Sequence, residues 1–121
     1  MDFTRAIDTL YATAHSLLHE ERPKDAACVV RAMVLAAPTD ERGWLALGLS
    51  HEALGQPDIA LEMYATGRVM AAPSPRCELA RARVLRLLGR DDAAGEALDV
   101  ASSLADGDEM AMLIESERRA S

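Results

Sequence analysis

The chain contains no asparagine, one lysine (Lys24), one tryptophan, one phenylalanine and two tyrosines. With aromatics at 3% of residues, a sandwich or barrel built on aromatic and β-branched strands has little to draw on. No apolar run approaches the roughly 18 residues that a membrane span needs. The opening MDFTRAIDTL carries acidic residues where a signal peptide has a basic patch followed by an unbroken apolar stretch. The expectation is a cytoplasmic protein. Cysteine is scarce as well: Cys28 and Cys77 lack metal-type or redox-type spacing, and in a reducing compartment they read as free, small apolar residues. Positive charge is the minority, with 13 Lys and Arg against 20 Asp and Glu, a net charge of −7. Neither nucleic acid nor an anionic membrane is expected as a partner, because both attract basic surfaces.

What is present is helix-forming. Half of the 121 residues are hydrophobic and 27% are charged, the balance of one soluble domain spanning 1–121, rich in Ala, Leu, Arg and Glu. Comparing the chain with itself at an offset of 34 aligns Ala26, Ala60 and Ala94, and also Ala14, Gly48 and Ala82. Two columns of small residues at one period mark places where helices approach closely. Larger side chains recur at the same interval in Leu17, His51 and Leu85 and in Val30, Tyr64 and Leu98, while Gly55 returns as Gly89.

Local punctuation agrees with the period. Phe3, Ile7, Leu10, Ala14, Leu17 and Leu18 follow helical spacing, and that first helix should stop near Arg22-Pro23 because proline disfavours helix in the residue before it. A second helix is expected over about 23–37. Asp40 offers a cap for the third, which should end at Gly55, and Pro57 suits the first turn of the fourth. The Ala-Pro-Ser-Pro run at 72–75 predicts a stop and a restart, with Ser74 as N-cap and Pro75 in the first turn. Gly89 and Asp91 repeat that signal, Asp106-Gly107-Asp108 closes the sixth helix, and Met110, Leu113 and Ile114 mark one face of a seventh.

A 34-residue period with Trp44, Leu47 and Gly48 followed by Ala60 and Tyr64 resembles the tetratricopeptide repeat, a helix-turn-helix unit. His51 departs from the usual tyrosine, Leu10 replaces the tryptophan of the first unit, and Glu78 stands at the signature position of the third. The resemblance implies an all-α fold: a right-handed α-solenoid of three tetratricopeptide-like helix-turn-helix units at about 7–40, 41–74 and 75–106, closed by a C-terminal capping helix at about 108–119. In such arrays the first helix of each unit lines a concave groove. Mapped on this sequence, the resemblance places Tyr11, Leu18, Leu45, Leu49, Leu79, Arg83, Arg86 and Leu87 along a peptide-binding groove, with leucines forming pockets and arginines meeting backbone or carboxylates. Several of these leucines also have the spacing to pack against the next helix. The Lys and Asn pair of a chaperone carboxylate clamp is missing.

From Gly43 to about Ala105 the sequence further resembles the class II chaperones of bacterial type III secretion, of the SycD/LcrH type. The shared features are Leu47-Gly48-Leu49, the Ala53 to Gln56 turn, Tyr64 with Gly67, Val69 and Met70, Pro75-Arg76, and a Leu-Leu-Gly followed by an Ala-rich helix. That resemblance implies a cytoplasmic bacterial chaperone that grips an extended segment of a hydrophobic translocator, with a homodimer or a small co-chaperone as further partner. The shorter N-terminal region sets it apart from typical members. A needle-subunit chaperone of the same system and a generic repeat scaffold are the alternatives. The first of these needs a broad apolar concavity for an amphipathic helix, which Arg76, Arg83 and Arg86 interrupt.

Chemistry finds no frame in the sequence. His15 and His19 stand four apart on one helical face, but a zinc site needs a third and usually a fourth ligand, and the HExxH pattern is absent. No glycine-rich phosphate loop occurs. No enzyme activity, cofactor or metal is expected. The arginine series Arg76, Arg81, Arg83, Arg86 and Arg90 has no interleaved aromatics and stands beside abundant acidic residues, so ion pairing or a solvated face is expected of it.

Overall fold

Proline and glycine set the boundaries. The computed structural model, which describes residues 2–120, contains α1 (Phe3–His19), α2 (Pro23–Ala36), α3 (Glu41–Ala53), α4 (Pro57–Met70), α5 (Pro75–Leu87), α6 (Asp91–Leu104) and α7 (Asp108–Arg119). Pro23, Pro57 and Pro75 each open a helix, where a missing N–H costs nothing. The Asp40 side chain accepts the Arg42 N–H at the start of α3, as the sequence predicts. Among the described residues there is no strand.

The repeat is visible in the backbone itself. Each turn inside a helical pair closes with the same long hydrogen bond: Arg22 N–H to Leu17 C=O at 2.9 Å, Gln56 to His51 at 2.9 Å, and Arg90 to Leu85 at 2.8 Å. This closure puts the residue before the donor in the left-handed region. Gly55 (φ 73°) and Gly89 (φ 77°) take it easily, but in the first turn the position is Glu21, at φ 58°. A side chain there carries steric strain that the two later turns avoid.

Consecutive helices pack against each other, and α1, α3, α5 and α7 also touch in series, whereas no two even-numbered helices do so among the described residues. The odd helices therefore form the inner row of an α-solenoid and the even helices its outer row. Between the rows lie the sequence columns. Ala14, Ala82, Ala26, Ala60, Val30 and Tyr64 are completely buried, with Ala94, Leu85 and Leu98 nearly so. A Cβ on Gly48 would stand 2.1 Å from Cε1 of Tyr64, so the small column exists to receive the ring from α4. Gly67 gives the same close approach to Trp44 and Cys77. Met110 and Ile114 bury α7 against α5 and α6.

The N-terminus of α5 departs from expectation. Ser74 precedes Pro75 but makes no capping bond; its buried hydroxyl donates to the carbonyls of Gly67 (3.0 Å) and Ala71 (2.5 Å). The Arg76 N–H instead donates to the Glu41 carboxylate at 3.2 Å, so the first turn of α3 caps α5 across the repeat.

Candidate peptide-binding groove

Leu45 and Leu49 of α3 and Leu79 and Arg83 of α5 come together on the inner row, where they line a cavity of about 420 Å³ with Arg76, Ala80 and four residues of α7's inward face, Met110, Leu113, Ser116 and Glu117; Ala120 closes its end. The leucines are half-buried. Leu45 packs on the cluster of Ala60, Tyr64 and Val84 and Leu79 on that of Leu85 and Leu98, while all three leucines line the cavity. Leu45 and Leu79 thus take part in helix packing and also line the cavity.

The other predicted groove residues are distributed around this cavity. Tyr11 and Leu18 belong to α1, and neither lines it. Tyr11 packs near Ala14 and Val30 and lies under the Arg42 guanidinium, 5.0 Å from its ring centroid. Leu87, at the end of α5, is 66% exposed and outside the cavity. Arg86 turns to α7 and bonds Glu117 at 2.5 Å.

The groove is held by charge pairs that cross between helices. Arg83 on α5 donates to both oxygens of Glu52 on α3, at 2.9 and 2.7 Å, and Glu52 also accepts the hydroxyl of Tyr64 from α4. Burial first, and the Glu52 carboxylate second, raise the Tyr64 phenol far above its ordinary range. Arg42 joins α3 to α1 through Asp8 (3.0 Å) and bonds its own cap Asp40 (2.8 Å), and its side-chain bond to Asp40 holds that carboxyl below its usual value against the opposing effect of burial. Arg76 is the least engaged groove arginine, its guanidinium 3.8 Å from Glu41. Burial raises the Glu41 carboxyl, against the opposing pull of the Cys77 and Arg76 N–H groups. All five arginines of the 76–90 series have acidic partners, as the sequence suggests.

Sequence reasoning missed two features. The first is Glu78, completely buried, with Arg68 Nε 3.1 Å from one oxygen and Arg81 3.6 Å from the other, neither aligned as a hydrogen bond. The second is the part α7 plays in lining the groove. The signal for it was present, because the period of 34 leads from Leu45 and Leu79 to Leu113 and from Arg76 to Met110. Cys77 is buried, its thiol pushed up to about 12 by burial and by the nearby Glu41 and Glu78 carboxylates, while Cys28 is exposed. His15 and His19 meet edge to face at 5.1 Å on α1, and among the described residues no three His, Cys, Asp or Glu side chains cluster as a metal site would require. Nor, among those residues, is any helix long and apolar enough to cross a membrane.

No protein-family model matches the chain. A curated relative, the low calcium response locus protein H of Yersinia pestis, is 31% identical over 70 residues, which is 58% of this chain and 42% of that protein. The chain thus matches less than half the length of that relative. Among solved structures, the type III secretion translocator chaperone SycD of Yersinia enterocolitica superposes with a TM-score of 0.85 at 29% identity, over 94% of this chain and 86% of that one. SycD in complex with a peptide of the translocator YopD superposes at 0.75 with 26% identity, over 93% and 92%. In fold and in sequence the chain is a tetratricopeptide-like helical repeat protein similar to the SycD/LcrH-type translocator chaperones of type III secretion.

Proposed function

We propose that the chain is a non-catalytic, cytoplasmic secretion chaperone that covers an apolar segment of a hydrophobic translocator in the groove formed by α3, α5 and α7. The observation that carries this reading is the cavity between Leu45, Leu49 and Leu79, in a fold similar to a chaperone solved with a translocator peptide. A protein bound for a membrane exposes apolar surface that aggregates in water, and a half-buried leucine floor offers that surface a temporary partner. Leu18 and Tyr11 continue the inner row on α1, and Leu87 extends it at the far end of α5. The domain is read as three helix-turn-helix units, at about 7–40, 41–74 and 75–106, with the segment 108–119 added.

The test is native mass spectrometry of the tagged protein captured from its own cells under secretion-inducing conditions, with Leu49→Glu as the paired variant. A translocator-sized apolar partner in a one-to-one or two-to-one complex, lost in Leu49→Glu while the helical circular dichroism persists, is the expected outcome. A needle-sized subunit with a second small chaperone moves the assignment to needle assembly. Capture of no partner overturns the reading.

A further inference from the structure

The seventh helix occupies the place of an inner helix of a fourth repeat. It touches α5 as α5 touches α3, and Leu45, Leu79 and Leu113 follow one another at intervals of 34 and all line the same cavity. A helix serving only to close the solenoid would bury its apolar face and leave the groove to others. Here Met110 and Ile114 do the burying, while Leu113, 48% exposed, is turned to the groove. The position that is Trp44 in the second unit and Glu78 in the third is Met112 in α7, 71% exposed, with no later helix packed on it among the described residues. One face of α7 is thus finished as a cap and another is built as groove.

Resting on the chaperone reading above, we propose that α7 is the last rung of the peptide groove. Leu113 receives an apolar side chain of an extended cargo segment against Leu79, and Arg76 pairs with a carboxylate carried next to that side chain. The charge complement singles out Arg76. Arg83 and Arg86 hold acidic partners at 2.9 Å or less, whereas the half-exposed Arg76 guanidinium sits 3.8 Å from Glu41 at the rim of the same cavity. An incoming carboxylate reaches it without displacing a close pair.

The experiment is fluorescence anisotropy with a labelled YopD peptide, the segment bound by the similar chaperone SycD, on the full chain. Leu113→Gln, a surface change between good helix formers, is expected to weaken binding about tenfold. Met112→Gln, about 100° round the helix and outside the cavity, leaves affinity at the wild-type value. Arg76→Gln weakens binding and flattens its dependence on salt. If Leu113→Gln stays within about twofold of wild type while Leu79→Glu abolishes binding, α7 is a cap alone. If Met112→Gln weakens binding as much as Leu113→Gln, the effect is loss of α7 packing and the proposed contact is refuted. An unchanged salt slope in Arg76→Gln refutes the carboxylate pairing. A wild-type chain that does not bind the peptide fails at the chaperone reading itself, and this inference falls with it.

Discussion

Replacing Gly48 by alanine adds one methyl group to a helix interior, a change that usually stabilises by about 0.5–1 kcal/mol through backbone entropy and propensity. Here the opposite is expected. The new Cβ would lie 2.1, 2.5 and 2.7 Å from Cε1, Cζ and Cδ1 of Tyr64, less than any real Cβ contact tolerates. The ring cannot swing aside, because it is completely buried and its hydroxyl is tied to Glu52, which in turn holds Arg83. Relief therefore requires α3 and α4 to separate, or the Tyr64–Glu52 bond to break. Overpacking of this kind costs about 1–3 kcal/mol, and loss of the bond adds about 1 kcal/mol. Net of the propensity gain, Gly48→Ala should destabilise by about 1–3.5 kcal/mol and lower Tm by roughly 10 °C. Gly95, in α6, is the internal control: a Cβ there meets nothing within 4 Å, and Gly95→Ala should raise stability by about 0.5–1 kcal/mol. Urea denaturation of the two variants side by side reads the difference. If both shift stability upward, Gly48 is not a packing requirement, and the small-against-large account of the repeat interface is wrong.

Two further outcomes are expected. Glu21→Gly should raise Tm by a few degrees, since relief of about 1–2 kcal/mol of left-handed strain is partly offset by the greater freedom of glycine in the unfolded chain; a fall in Tm in a thermal melt would show that the φ of 58° carries no strain. In a thiol titration with a disulfide reagent at pH 8, Cys28 should react at once and Cys77 only after denaturant is added, because burial has pushed the Cys77 thiol up to about 12 and closed it to solvent. Two equally fast thiols in the native protein would mean that the α4–α5 junction opens readily.

Much of the fold was legible because the period of 34 and the turn residues are both local statements about the backbone. Gly55, Gly89, Pro23 and Pro57 each impose a conformation without reference to distant residues. At the start of α5 the sequence misled because the deciding partner lay one repeat away. Ser74 has the chemistry of an N-cap, yet the Glu41 carboxylate, 35 residues before the Arg76 N–H it accepts, takes the role and leaves the serine to buried carbonyls. Glu78 reads as a degenerate signature position; only the placement of Arg68 and Arg81 around it makes a completely buried carboxylate tolerable. Glu21 breaks the glycine column at a turn whose hydrogen bond is nonetheless the same as in its neighbours. Of the candidate site, the leucines of α3 and α5 followed from the repeat mapping, but α7 was read for its apolar stripe, and a stripe does not say which of its members faces the core and which a groove.

The ion pairs across the groove bear on how any cargo is held. A cargo carboxylate that sought Arg83 would have to displace Glu52, a bidentate partner that also anchors Tyr64, and one that sought Arg86 would release Glu117 and with it a tie between α5 and α7. Exchanging one close pair for another returns little free energy, and it loosens the frame that sets the spacing of the odd helices. These arginines are better placed to fix the groove before binding than to pull the cargo in. A groove already ordered spares the complex the cost of ordering side chains on association, about 0.5–1.5 kcal/mol for each one immobilised. On the proposed chaperone reading, affinity then comes from the half-buried leucines, whose contribution grows with the apolar area covered and is nearly indifferent to salt. Salt dependence, where it appears, should trace to Arg76, the groove arginine whose acidic partner stands farthest off.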